Sequence, residues 1–428
     1  MQRLPVGIDD FAKIREGNYY FVDKTMAIGE LLDNHGEVLL LTRPRRFGKT
    51  LFLSMLYYFL ASARGADYRN LFHGLAIERA DGGSYMAEQG RRPVLFLSLK
   101  DVKHRTWPDM VEKFRSLLSD VYDVYDQYTY LMEGTGFSQV ERRYFQRVHD
   151  GLASPIEMED ALRRLMDMMK HYHGQPVVLL LDEYDIPVQQ AWEHGFYDDC
   201  IAFMRNFLSA ALKTNPSLDF AVLTGVLRIA KESIFSGLNN LEVSSVINGT
   251  YAGWIGFTPE EVRVLAHAQQ QDDALPVLHD WYDGYQFGNQ EMYNPWSVLC
   301  FFKEQGQPQP YWAHTSGNVL LGELLKQTDS VQEDNLLRLI QGETVTAVLT
   351  ENTIYPEIVD NPDALYTVLV LSGYLKIVSR RLVIDTWVYV LAIPNREVRS
   401  IYRSEILSRM NPGRTTSYLM TTMENGLP

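Results

Sequence analysis

The chain alternates between short, continuous apolar runs and longer segments whose apolar residues fall at helical spacing. Four runs, 38–42, 94–99, 177–181 and 219–224, have strand length and are bounded by polar or turn residues. Their near-continuous hydrophobicity suits a parallel sheet covered on both faces. Helical patterns lie between them. Met26 to Leu32 predicts a short helix stopped by Asn34, His35 and Gly36. Residues 108–150 read as helical, with many charges and tyrosines. Ser154-Pro155 starts a helix with Pro in its first turn, and Leu162, Leu165, Met166 and Met169 mark its core face. His171 and His173 close that helix, with no third ligand nearby to make them a metal site. A further helix covers roughly Ile201 to Lys213. This alternation predicts a doubly wound α/β sheet with helices on both faces and its site outside the C-terminal strand ends.

Beyond about residue 250 the pattern changes. Thr258 and Pro259 cap and open a helix, and helical segments continue to about 345. The stretches WYDGYQFGNQEMYNPWSVLCFF and PYWAHTSGN are dense in aromatics. Such residues can stack bases, but packing a small helical lobe against the sheet is the simpler role. The last patterned stretch reads as a helix followed by two alternating strands with a turn at Ser379 to Arg381. That order resembles a winged-helix module. The expected division is therefore 1–250, a helical lobe at 251–345, and a C-terminal module at 346–428.

The chemistry concentrates where the strands end. Val38 to Leu41 lead into a short basic loop, Arg43, Pro44, Arg45, Arg46 and Phe47, then Gly48, Lys49, Thr50 and Leu51 opening an apolar helix. This is strand, phosphate loop, helix, and it matches the end of the pattern G-x-x-x-x-G-K-[ST], with Arg43 in place of the first glycine. Gly48 lets the backbone approach a phosphate, and the helix N-terminus favours the anion. Lys49 supplies a point charge, Thr50 is the expected Mg²⁺ ligand, and Pro44 with its fixed φ is a candidate for turning the loop. Five apolar residues, Val177 to Leu181, lead into Asp182 and Glu183, the shape of a Walker B strand. Asp182 is expected to hold Mg²⁺, and Glu183 to polarise the attacking water as a general base. Thr224 ends the next strand as the candidate for reaching the γ-phosphate or the attacking water, and Arg228 and Lys231 follow as candidate phosphate sensors. Tyr19 to Phe21, upstream of the loop, could cover an adenine ring.

Composition narrows this picture. A net charge of −14 argues against a general nucleic-acid coat protein. Two cysteines, Cys200 and Cys300, give neither a disulfide framework nor a zinc site, which fits a reducing cytoplasm. The N-terminus has no apolar stretch of signal-peptide length, and no run is long enough to span a membrane.

Taken together, GIDDFAKIREGNYYFVDKT, RPRRFGKT, PVLFLSLKD, LLLDEYDIP, LTGVLRIAKESIFSGLNN, WYDGYQFG, YNPWS, YWAHTSGN and AIPNREV make the chain resemble the bacterial AAA-ATPase-like family. The resemblance implies nucleotide-binding roles for Lys49, Thr50, Asp182 and Glu183, and it makes Arg43 part of the family's pattern. It also implies that a PD-(D/E)XK nuclease-like domain usually follows. About thirty residues remain after AIPNREV, with no acidic pair followed by Glu-x-Lys, so that domain is expected to be absent.

The expected activity is Mg²⁺-dependent ATP binding and hydrolysis that moves the C-terminal lobes. A non-hydrolysing nucleotide switch or scaffold is the first alternative, although Glu183 argues against it. A nucleotide-regulated DNA-binding adaptor is the second, favoured by Arg380, Arg381, Arg396, Arg399 and Arg403 and opposed by the acidic net charge. DNA or a protein bound through the C-terminal lobes, and self-association, stay open as partnerships.

Overall fold

The computed structural model describes residues 2–34, 36–62, 68–126, 136–228, 241–312, 321–322, 324, 328, 330–351, 355–357 and 361–410. At its centre is a five-stranded parallel sheet of β1 (Val38–Thr42), β2 (Val94–Ser98), β3 (Val177–Asp182), β4 (Leu218–Gly225) and β5 (Leu241–Ser244), in the order β2-β3-β4-β1-β5. Every residue of β1 and β3 is buried, as expected for a sheet covered by helices on both faces. The four predicted runs are the first four strands. The fifth was not read from the sequence, because LEVS is short and only its last residue is buried.

Strand register builds the site. Ser98 pairs with Asp182, Leu181 with Leu223, and Leu41 with Thr224. Ser98, Asp182 and Thr224 therefore end three neighbouring strands side by side. β4 lies between the strand carrying the basic loop and the strand carrying the acids.

The predicted helices surround this sheet as Met26–Asn34, Lys49–Leu60, Trp107–Asp126, Gln139–His149 and Tyr197–Leu212. The helix expected from Ser154 breaks at Asp160 into Pro155–Glu159 and Ala161–His173. Its predicted face of Leu162, Leu165, Met166 and Met169 is buried against the sheet domain's core. Among the described residues no helix is long and apolar enough to cross a membrane.

Two expectations for the C-terminal half are corrected. The stretch read as helical to about 345 contains a hairpin, β6 (Tyr285–Phe287) and β7 (Gln290–Met292). Gly288 turns it with φ of 57°, where a Cβ would be strained. The second correction concerns the turn placed at Ser379 to Arg381. Those residues lie within β9 (Lys376–Val383), and the chain reverses at Ile384 and Asp385 before β10 (Thr386–Ala392). β9 is an edge strand, exposed from Ser379 to Val383, so polar residues sit in it without breaking it. These strands and β8 (Val345–Val348) form an antiparallel sheet in the order β8-β10-β9.

One contiguous core runs from Phe11 through the parallel sheet to Leu391 and Tyr402. A smaller core, including Val262, Leu278, Tyr282 and Phe301, lies between the helices of the 259–303 region. Glu397, in the AIPNREV stretch, is fully buried. It accepts hydrogen bonds from Ser297 Oγ at 2.9 Å and the Trp312 N–H at 2.8 Å. Burial pushes its carboxyl up to about 8. A folded-state value above the unfolded one means the fold favours the protonated acid. That contribution is complete below the unfolded carboxyl pKa and is lost as pH rises through about 8. Wild-type thermal stability is thus expected to fall between about pH 5 and pH 8, and Glu397→Gln to flatten that fall. Parallel melting profiles in the two proteins would remove the assignment.

Candidate active site

The basic loop leaves β1 and reaches the Lys49–Leu60 helix through Gly48, whose φ of 98° is closed to ordinary side chains. Gly48 therefore caps this helix without a side chain, and the first backbone N–H groups stay open toward the pocket. Lys49 is 5% exposed, and its Nζ donates to the carbonyls of Arg43 and Pro44, both at 3.0 Å. Burial lowers its pKa, and the charges of Glu183, Asp185 and Asp182 oppose that shift.

Across the strand ends, Thr50 Oγ1 donates to Asp182 Oδ2 at 2.8 Å and Thr224 Oγ1 to Asp182 Oδ1 at 2.5 Å. Ser98 Oγ stands 3.5 Å from Oδ2. Three hydroxyls thus converge on one fully buried carboxylate. Glu183 comes next, with φ of 52°, the left-handed region. Such a conformation costs on the order of 1–3 kcal/mol and persists where surrounding bonds dictate it. Here Thr224 supplies them: its Oγ1 accepts from the Glu183 N–H at 3.3 Å, and its carbonyl from the Tyr184 N–H at 3.0 Å. Burial raises the Glu183 carboxyl above its ordinary pKa, with Lys49 opposing.

Arg45, Arg46, Phe47, Gly48, Lys49, Thr50, Leu51 and Glu183 line one pocket of about 380 Å³. Tyr20, Phe21, Val22, Phe52, Trp254 and Trp296 also line it. Of the upstream segment Tyr19 to Phe21, Tyr20 and Phe21 share this pocket with the phosphate loop and Tyr19 does not line it.

Several predicted site residues lie elsewhere. Arg43 is fully buried and turned away from the pocket. Its Nη1 donates to the Thr42 and Ser244 carbonyls at 2.9 Å, and its Nη2 to the Thr250 and Tyr251 carbonyls at 3.2 Å and to Ser244 Oγ at 2.9 Å. The guanidinium also lies 5.1 Å from the Phe287 ring centroid. It ties the loop to β5 and is withdrawn from direct nucleotide contact. Pro44 contributes its carbonyl to Lys49 and does not line the pocket. Asp182 and Thr224 are fully buried and do not line the pocket, although Thr50, which does, donates to Asp182. Arg228 follows β4 off the pocket wall, and its Nε has no hydrogen-bond partner. Lys231 lies outside the described residues.

Tyr285, Phe287 and Trp296 of the first aromatic stretch support the loop. Phe47 packs edge-on against Tyr285 at 5.0 Å and tilted against Phe287 at 5.3 Å. Arg46 lies over the Trp296 ring at 4.5 Å, and Arg45 Nη2 donates to Gln189 Oε1 at 2.7 Å. Asp185 was missed from the sequence. It is buried, and its Oδ2 accepts from the N–H groups of Val226 and Leu227 at 2.8 and 2.9 Å, fastening the loop after β4. Its signal was the third acid of DEYD.

A parallel α/β sheet with a glycine-lysine-threonine loop after β1 and a buried acid at the end of β3, one strand apart, defines a P-loop-like core. Residues 5–235 match the family model described as "Predicted AAA-ATPase", and the chain belongs to this AAA-ATPase-like family. It is also 28% identical, over 417 residues, to an "Uncharacterized protein in vnfD 5'region" of Azotobacter chroococcum mcd 1. That alignment covers 96% of this chain and 71% of the relative.

Proposed function

We propose that the chain binds Mg·ATP at this pocket and hydrolyses it. The observation that carries the proposal is the convergence of Thr50 and Thr224 on Asp182, beside an exposed glycine loop and a buried lysine. The donor set fits Mg²⁺: hard oxygens only, from Asp182 and Thr50, with no nitrogen or sulfur ligand. When bound, the ion would neutralise charge on the β- and γ-phosphates.

The chain's own residues do the rest. The open N–H groups of the helix start and Lys49 hold the phosphates. The aromatic side chains of the pocket wall, Phe21 among them, enclose the base. Glu183 takes a proton from water as the oxygen bonds to the γ-phosphorus and the bond to ADP breaks. Thr224 holds the Glu183 backbone in place. Arg45 and Arg46 place positive charge at the loop's mouth, while Arg228 stays a candidate phosphate sensor.

Within this reading the chain divides into 1–250, 251–345 and a winged-helix-like 346–428. The contacts of Phe47 and Arg46 with Tyr285, Phe287 and Trp296 support coupling of nucleotide state to the later parts. Lys49→Ala tests the site: calorimetric titration with Mg·ATP should show binding to wild type and at least tenfold loss in the variant. Equal affinity in both would move the nucleotide elsewhere.

A further inference from the structure

Among the described residues, one group of metal-ligating side chains lies outside the P-loop pocket. His279, Asp283 and Glu291 each offer a ligand atom, and these atoms lie within 4.8 Å of one another. All three come from the segment HDWYDGYQFGNQE, whose aromatics support the loop but whose polar residues have no part in the ATP site.

The fold brings them together in two steps. His279 lies in the last turn of the Leu275–Tyr282 helix, and Asp283 caps that helix four residues on, on the same face. The β6–β7 hairpin then reverses the chain, and Glu291 pairs with Gln286. The two carboxylates are thereby brought close.

Asp283 points to a ligand. Its side chain is only 2% exposed and its Oδ1 has no donor, although the Gly284 N–H and the Glu291 carboxyl both hydrogen-bond to this carboxyl group. Asn395 Nδ2 donates to the Asp283 backbone carbonyl instead. Lys376 is within electrostatic reach but closes no ion pair with it. A buried carboxylate oxygen left unmet, beside a second carboxylate, is costly without a cation.

The spacing suits an ion. Asp283 Oδ2 stands 3.4 Å from His279 Nε2. Two ligands about 2.0–2.1 Å from one tetrahedral ion stand roughly 3.3 Å apart. The far ring nitrogen, Nδ1, faces Asp280 Oδ1 at 3.9 Å, the side from which a carboxylate orients a metal-bound imidazole. Arg396 holds Asp280 at 3.3 Å. Glu291 is exposed and shares a hydrogen bond with Asp283 that an ion between the two carboxylates would replace, and His279, 66% exposed, opens the path from solvent.

We propose that His279, Asp283 and Glu291 form a site for a divalent transition-metal ion, such as Zn²⁺, with water completing its coordination. The imidazole selects against Mg²⁺ and Ca²⁺, which prefer oxygen alone. A bound ion would pin the hairpin whose Tyr285 and Phe287 hold Phe47.

Calorimetric titration of the full chain with Zn²⁺, free of nucleotide and Mg²⁺, tests this. Wild type should bind one ion that His279→Ala and Glu291→Gln each weaken at least tenfold. Thr50→Ala, at the P-loop, should leave that affinity unchanged. His279 and Glu291 are exposed, so melting in EDTA should match wild type and exclude a folding artefact. No binding by wild type, or equal affinity in wild type and His279→Ala, would overturn the site.

Discussion

Glu183→Gln is expected to leave Mg·ATP binding intact and to cut phosphate release by a factor on the order of 10² or more, the size of general-base effects. Glu183 lines the pocket, and its neighbour Asp182 lies buried below. The left-handed backbone at Glu183 is what separates the two carboxylates, one turned to the pocket and one to the hydroxyls. Burial holds the Glu183 carboxyl above its ordinary pKa, so the basic form is gained only as pH rises through that raised value. Wild-type turnover should therefore climb with pH on its acid side, while the residual turnover of Glu183→Gln should lack that limb. Unchanged turnover in the variant would remove Glu183 as the base.

Arg43→Met is expected to destabilise the protein by about 1–3 kcal/mol, the range for leaving buried hydrogen-bond acceptors without their donor. It should also weaken nucleotide binding, although the guanidinium faces away from the pocket. Removing it leaves the carbonyls of Ser244, Thr250 and Tyr251 without a donor from Arg43 and frees the loop from β5. Arg43→Lys should recover little, because an ammonium cannot reproduce the planar fork that reaches these groups. Denaturant midpoints for the three proteins check this. An Arg43→Met midpoint equal to wild type would show the network to be dispensable.

Four of the sheet's five strands were legible because they are continuous apolar runs, whereas LEVS, with one buried residue, is not. That Lys49, Thr50, Asp182 and Glu183 gather at the strand ends was legible because the apolar runs locate those ends. Arg43 was not. A motif gives sequence spacing, while the direction of a side chain depends on what lies behind it, here β5 and the loop at Thr250 and Tyr251. The aromatics of WYDGYQFG and YNPWS were visible as a cluster, but their target, Phe47 and Arg46, lies more than two hundred residues away in the chain. The reversal at Ile384 escaped notice because a β-branched residue at φ of 55° is a poor turn signal, whereas Ser379 to Arg381 look like one. His279, Asp283 and Glu291 meet only through a helix end and a hairpin, and the segment was read as helical.

Steady-state phosphate release from ATP by the purified full chain, with Mg²⁺ and again with the ion chelated, tests the central claim most directly. The account predicts turnover that requires Mg²⁺ and that Lys49→Ala abolishes. Tight Mg·ATP binding with no phosphate release would contradict it and make the protein a nucleotide switch.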